Sequence, residues 1–212
     1  MNELDLILST ANTQNTPEWK DSRVGSFTSS QIYKLLTSSR KKGEVFGDQA
    51  KSYIYTRAAE RLRGLDSDTF EGSYATDWGN EHEDEAAKEF ERITGLKTSN
   101  APYLMKGEYY GGSPDRYVDN GWLLEIKCPY NIGYFIKAST GFVDPKYTAQ
   151  NQSNLNITGR KGVYHCTYDP RMPEGHRMII TEQPRDEEMI EKINERVQLA
   201  NEMVDELLNN IG

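Results

Sequence analysis

The sequence predicts an α/β fold: a single domain over residues 1–212 with a mixed central β-sheet flanked by helices. Three observations predict it. The N-terminal half repeats its apolar residues at helical spacing. The middle switches to short β-branched and aromatic runs around a strong hairpin signal, and the rest reads as a helix, two strands and a long helix. At 212 residues the chain is long enough for one sizeable core and short for two, and no repeat, low-complexity tract or long linker divides it.

Each element has a local reason. Thr28-Ser29-Ser30-Gln31 has the form of a capping box, and Ile32, Leu35 and Leu36 follow at helical spacing. Residues 38–47 are a basic, glycine-containing loop. Asp48 then caps a second helix carrying Tyr53, Ile54, Ala58 and Leu62, which stops at Gly64. A third helix starts near Thr76–Trp78 and stops at Gly95, with Ala86, Ala87, Phe90 and Ile93 as its apolar face. Short strands are expected at Tyr103–Met105 and Glu108–Tyr110. Arg116–Val118 and Trp122–Cys128 flank Asp119-Asn120-Gly121, a hairpin signal. Asp144-Pro145 opens a helix that reaches Gly159. Gly162–Tyr168 and Arg177–Thr181 are strands joined by a turn-rich segment. Asp186 caps a final helix that buries Met189, Ile190, Ile193, Val197, Val204, Leu207 and Leu208.

Composition excludes several classes. No apolar run approaches membrane-spanning length, and the N-terminus lacks the basic start of a secretion signal. A cytoplasmic protein with no membrane partner is expected. Cys128 and Cys166 are the only cysteines, too few for a four-cysteine zinc or iron–sulfur site, and reduced thiols are expected. His82, His165 and His176 show no metal-ligand spacing and read as structural or surface residues. The net charge of −8 runs against nucleic-acid binding, which neutralises phosphates. Bases nevertheless gather between Lys20 and Arg63, while acids crowd residues 66–91 and the C-terminal helix. An acidic exterior with a basic groove would let a protein move along DNA without sticking, although the same charges also describe ordinary solvated helix faces.

The chemistry gathers at the hairpin. On a strand, Leu123, Glu125 and Lys127 share one face while Leu124, Ile126 and Cys128 take the other. With residues 119–121 as a three-residue loop, Asp115 lies directly across from Glu125. With Asn120-Gly121 as a two-residue turn, it is a neighbour on a shifted register. In the first register two carboxylates face each other, which is unfavourable unless something positive sits between them. A divalent cation is the natural candidate. Magnesium takes one or two carboxylates and fills its shell with water and phosphate oxygens. Asp115 and Glu125 would supply the carboxylates and the Ile126 backbone carbonyl a further oxygen. Lys127 would orient a water, favour its deprotonation, or offset charge building on a phosphate. These are the parts of phosphodiester hydrolysis. A bare Asp…Glu-x-Lys pattern is short and often marks only exposed charge; here Pro114, the hairpin and the apolar flanks agree on the context.

Two further positions stand out. Glu83 falls on the stripe of Ala86, Ala87 and Phe90, where a carboxylate needs a partner or a metal, although it also suits the positive end of its helix. Gln150 and Asn154 are i,i+4 neighbours on a helix poor in large apolar residues, either an active-site wall or a plain surface helix.

The set Ser113-Pro114-Asp115 and Glu125-Ile126-Lys127-Cys128-Pro129 resembles the PD-(D/E)XK nuclease motif. More specifically, the chain is similar to the phage lambda exonuclease, or YqaJ-like viral recombinase, family. Trp19-Lys20-Asp21-Ser22-Arg23-Val24-Gly25 with Thr28-Ser29-Ser30, then Trp78-Gly79 with Glu83 and Ala86, then Tyr147-Thr148-Ala149-Gln150-Asn151-Gln152, then Tyr168-Asp169-Pro170-Arg171-Met172 follow in the family's order. The resemblance implies a restriction-endonuclease-like core and an exonuclease that degrades the 5′-terminated strand of a duplex processively, leaving a 3′ single-stranded tail for recombination. It implies one or two Mg²⁺ ions, with Mn²⁺ able to substitute, on Asp115 and Glu125. Glu83 would support a metal or its water shell, Gln150 would lie in the same pocket, and Lys127 would assist the attacking water. Arg23, Ser30 and Ser113 would hold the 5′-phosphate, and Arg23 has the fork geometry for it. It further implies a ring-shaped homotrimer on double-stranded DNA ends, a phage single-strand annealing partner, and a bacterial host cytoplasm. If strand separation needs an apolar wedge, Tyr74 is the residue placed to act as one. Alternatives are an endonuclease or structure-specific nuclease of the same fold, or a non-catalytic DNA-end-binding scaffold.

Overall fold

The computed structural model describes residues 21–65 and 74–211. The Trp19–Lys20 part of the N-terminal motif and residues 66–73 of the acidic stretch lie outside them. In chain order the elements are β1 (Phe27–Thr28), a 3₁₀ helix (Ser29–Lys34), α1 (Asp48–Arg63), α2 (Tyr74–Thr94), β2 (Thr98–Asn100), β3 (Leu104–Met105), β4 (Tyr110–Gly112), β5 (Arg116–Val118), β6 (Leu123–Lys127), α3 (Ile132–Ala138), α4 (Pro145–Thr158), β7 (Gly162–Tyr168), β8 (Met178–Pro184) and α5 (Glu187–Asn209).

A five-stranded sheet runs in the order β2-β5-β6-β7-β8, and a small sheet in the order β1-β4-β3. β6 and β7 pair in parallel, and their crossover carries α3 and α4. The remaining pairs of the large sheet are antiparallel, so the sheet is mixed as expected. α2 covers one face: Ala86, Ala87 and Phe90 pack with Leu124, Ile126 and Cys128. On the other face Leu123 and Val163 meet Leu155 of α4 and Ile190 of α5. Farther out, α1 and α5 close a core with Phe27, Ile32 and Leu35.

The two hairpin registers are now separated. Arg116 stands opposite Leu124 and Tyr117 opposite Leu123, the three-residue-loop register that aligns Asp115 with Glu125. Gly121, at φ +86°, supplies the left-handed residue that closes this loop. The caps on α4 and α5 form as expected, with Asp144 accepting from Lys146 N and Asp186 from Met189 N, both at 3.0 Å.

Several local expectations fail for tertiary reasons. The capping box does not form. Thr28 sits in β1, pairing in parallel with β4, and its N–H goes to the Tyr53 hydroxyl, so a 3₁₀ helix follows instead of an α-helix. Asp48 is the first residue of α1 rather than its cap, which is Gly47. Leu62 and Ile93 lie on the right helix faces but in last turns that overhang the core, and both are exposed. α3 and β2 carried no legible signal, β4 lies two residues later than expected, and β8 runs on to Pro184.

Candidate active site

β6 is apolar enough to be the buried centre of the sheet, yet it carries Glu125 in its middle with only 1% of its surface exposed. Such a carboxylate needs partners. Lys127 Nζ lies 2.5 Å from Glu125 Oε1. From α4, the Gln150 side-chain amide donates to the same oxygen at 2.5 Å, and the Asn154 amide donates to Glu125 Oε2 at 3.4 Å. α4 is therefore the wall of this site. Asn151, Gln152, Ser153, Asn154 and Asn156 are all buried, which the surface-helix alternative does not allow.

Asp115, immediately before β5, accepts a hydrogen bond from Ile126 N at 2.6 Å and so comes to the same end of β6. The acids disturb one another. Burial, then the nearby Asp115 charge, pushes Glu125 up to about 8, and Lys127 only partly offsets this. Burial raises Asp115, against the pull of Lys127. Burial and Asp115 raise Glu83 to about 7. Burial works against the Lys127 ammonium, but Glu125 and Asp115 overcome it and hold its pKa above the usual value. Glu83, from the first half of α2, has an oxygen 3.9 Å from Arg116, which also binds Asp84 and Asn100.

Crowding of this kind suits a bound cation. Two buried carboxylates, both raised by burial and Glu125 further by the Asp115 charge, with no thiolate or imidazole ligand between them, make a hard oxygen donor set of the size magnesium uses. Among the described residues no group of three or more acidic, histidine or cysteine side chains forms a cage by itself, so Glu83 does not close the set.

Beside the carboxylates lies a cavity of about 190 Å³. Arg23, Ser30 and Ser113, expected to act together, line it with Gln150, expected beside the metal, and with Thr28, Ser29, Tyr103 and Gly112. The buried Ser113 hydroxyl has no hydrogen-bond partner there, and the Arg23 guanidinium lies 5.9 Å from the Tyr103 ring centre. Tyr103 had no signal as a site residue in the sequence, and Ser29 stood only within the Thr28-Ser29-Ser30 block. Ser29 arrives through a hydroxyl contact to Ser153 of α4 at 2.8 Å, and Ser153 also meets the Tyr110 hydroxyl at 2.7 Å. This cavity and the carboxylate pair thus share one wall, and Gln150 belongs to both.

Tyr74 is 68% exposed and packs edge-on against Tyr130 at 5.0 Å. Cys128 and Cys166 are buried and unbridged. His165 is buried against Asn151, and burial lowers its pKa to about 3. The folded value lies below the unfolded one of about 6.5, so the unfolded chain takes up the proton first. The stability this contributes is present above pH ~6.5 and is lost as pH falls toward 3, at up to about 1.4 kcal/mol per pH unit. His165→Gln is expected to flatten this acid limb in denaturant melts taken across that range. An unchanged slope would show that His165 is not held neutral.

Comparison with known proteins shows the family and the fold. The family model of the YqaJ-like viral recombinase domain matches residues 18–161. Among solved structures, an alkaline exonuclease (LHK-Exo) from Laribacter hongkongensis superposes with a TM-score of 0.81 at 25% identity, covering 92% of this chain and 96% of that one. Its complex with dAMP gives the same values. A phage-related exonuclease from Haemophilus somnus 129PT shares the fold at a TM-score of 0.75 and 22% identity, covering 88% and 96%. No curated protein matches the sequence.

Proposed function

The chain belongs to the YqaJ-like viral recombinase family, and on that premise we propose that it is a metal-dependent exonuclease that hydrolyses duplex DNA from an end, processively 5′→3′, leaving 3′ single-stranded tails for recombination. The observation that carries this reading is Gln150, which lines the anion-type cavity and donates to Glu125. A terminal phosphate in the cavity therefore brings the neighbouring phosphodiester beside the carboxylate pair. Solved relatives named as exonucleases, one of them holding dAMP, support the same substrate class.

Asp115, Glu125 and the Ile126 carbonyl would hold Mg²⁺, or Mn²⁺ in its place, with Glu83 supporting its water shell. When bound, the ion would act as a Lewis acid toward the scissile phosphate and make water a stronger nucleophile. The chain's own groups do the rest. Lys127 keeps its proton and presents a fixed positive charge where the phosphate gains negative charge. Gln150 and Asn154 fix the Glu125 carboxylate. Arg23, Ser30 and Ser113 hold the 5′-phosphate, Arg23 by charge and the serines by hydroxyl donation. Tyr74 is the proposed strand wedge. A homotrimer on DNA ends, a single-strand annealing partner and a bacterial cytoplasmic setting belong to the same reading. Among the described residues no helix is long and apolar enough to cross a membrane.

End-labelled linear duplex with Mg²⁺ tests it. Label on the 5′ end should be released first, EDTA should stop release, and a covalently closed circle should survive. Cutting of the circle would make the protein an endonuclease, and digestion in EDTA would remove the metal.

A further inference from the structure

One face of α1 carries Tyr53, Arg57, Glu60 and Arg61, spaced to point the same way. The first three are buried, and Glu60 is fully so. Beyond the Arg57–Glu60 pair within the helix and an Arg61 bond to Asn201, their polar atoms reach across to another segment. They bind the backbone of the short segment between Arg23 and Ser30. Glu60 Oε2 accepts from Gly25 N at 2.9 Å, and Arg61 Nε donates to Gly25 O at 2.9 Å. Arg57 donates to Ser26 O at 3.4 Å and pairs with Glu60 at 2.7 Å. The Tyr53 hydroxyl accepts from Thr28 N at 3.0 Å. Between them, Ser26 N turns back to Arg23 O and Phe27 N goes to Tyr109 O.

Gly25 is required twice over in this arrangement. Its φ is +70°, and a Cβ there would stand 2.5 Å from Arg61 Cγ. A buried ion pair contributes little net stability compared with apolar packing of the same volume. What it fixes here is geometry, and the segment it fixes delivers Arg23 at one end and Ser30 at the other to the same cavity.

We propose that the Tyr53–Arg57–Glu60–Arg61 face of α1 is a positioning device for the anion cavity, holding the Gly25–Thr28 backbone so that Arg23 and Ser30 together meet a terminal 5′-phosphate. This rests on the reading of the cavity as the 5′-phosphate site. The four side chains are positioning residues that act through Arg23 and Ser30. Their loss relaxes the cavity and leaves Asp115, before β5, and Glu125, on β6, in place.

The test compares linear duplexes with 5′-phosphate and 5′-hydroxyl ends on the wild type, Glu60→Gln and Tyr53→Phe. Tyr53→Phe removes one hydroxyl and keeps the ring that packs on Phe27, so it carries the test if the buried Glu60 site does not tolerate glutamine. The wild type should prefer the phosphorylated end. In the variants that advantage should shrink, by about tenfold in Glu60→Gln and less in Tyr53→Phe, through KM and not kcat. Rates on the hydroxyl end should stay within about twofold of wild type, since the metal-binding strand is untouched. A parallel loss on both ends, or an advantage that survives in both variants, overturns the positioning role while leaving the phosphate site standing. A wild type indifferent to the 5′-phosphate overturns the phosphate site itself, and this proposal with it.

Discussion

Lys127→Ala is expected to lower nucleotide release from linear duplex by roughly 10³-fold or more in kcat, with binding to DNA ends retained. The ammonium stands 2.5 Å from Glu125, at the end of a strand buried on both faces, and 5.1 Å from the Tyr147 ring centre. Its neighbours raise its pKa above the usual value, so it is expected to act as a fixed charge and not a titrating base. A positive charge placed before the reaction starts needs no reorganisation as the phosphate becomes more negative, and its removal falls on kcat more than on KM. The fold should tolerate the change, because Glu125 keeps the Gln150 and Asn154 amides. Single-turnover release and end binding, measured on the same preparation, check this. A variant retaining more than about a tenth of the wild-type kcat would sink the role given to Lys127.

How much of this site was visible in the sequence follows from the range of the interactions that build it. Glu125, Lys127 and Asp115 were legible because strand alternation and a hairpin are local, and the turn signal of Asn120-Gly121 brings Asp115 close to Glu125 in either register. Two registers remained open because the loop length is set by how Val118 and Trp122 pair, a contact the sequence does not state. Gln150 and Asn154 were legible as a polar helical stripe. That the stripe is buried became clear only when β6 supplied a carboxylate for it to bind.

The place of Tyr103 in the cavity and the α1 clamp were not legible at all. Arg57, Glu60 and Arg61 look like one more solvated charge run, and what buries them is a segment more than thirty residues away. The failed capping box has the same cause. Thr28 follows its propensity only until β4 and Tyr53 offer its backbone better partners.

The carboxylate crowding leads to a second expected result, one that separates stability from activity. Asp115→Asn should abolish metal-dependent hydrolysis, yet in EDTA the variant should be more stable than the wild type. Asparagine keeps an oxygen to accept from Ile126 N, so the hydrogen bond at 2.6 Å survives in kind. What disappears is a charge beside Glu125 and Glu83, both of which Asp115 makes harder to ionise. Relieving it should add about 1–2 kcal/mol, or roughly 2–8 °C in Tm for a chain of this size. Millimolar Mg²⁺ should raise the Tm of the wild type, because a cation bound only by the folded state stabilises it by mass action. The same Mg²⁺ should leave the Tm of Asp115→Asn nearly unmoved. Thermal melts of both proteins with Mg²⁺ and with EDTA decide the matter. A metal-free variant less stable than the wild type would mean that Asp115 serves the fold, and a full Mg²⁺ shift in the variant would place the ion elsewhere. If both expectations hold, the wild-type site is a strained arrangement of charge kept for its chemistry, and the ion it binds is what makes that strain tolerable.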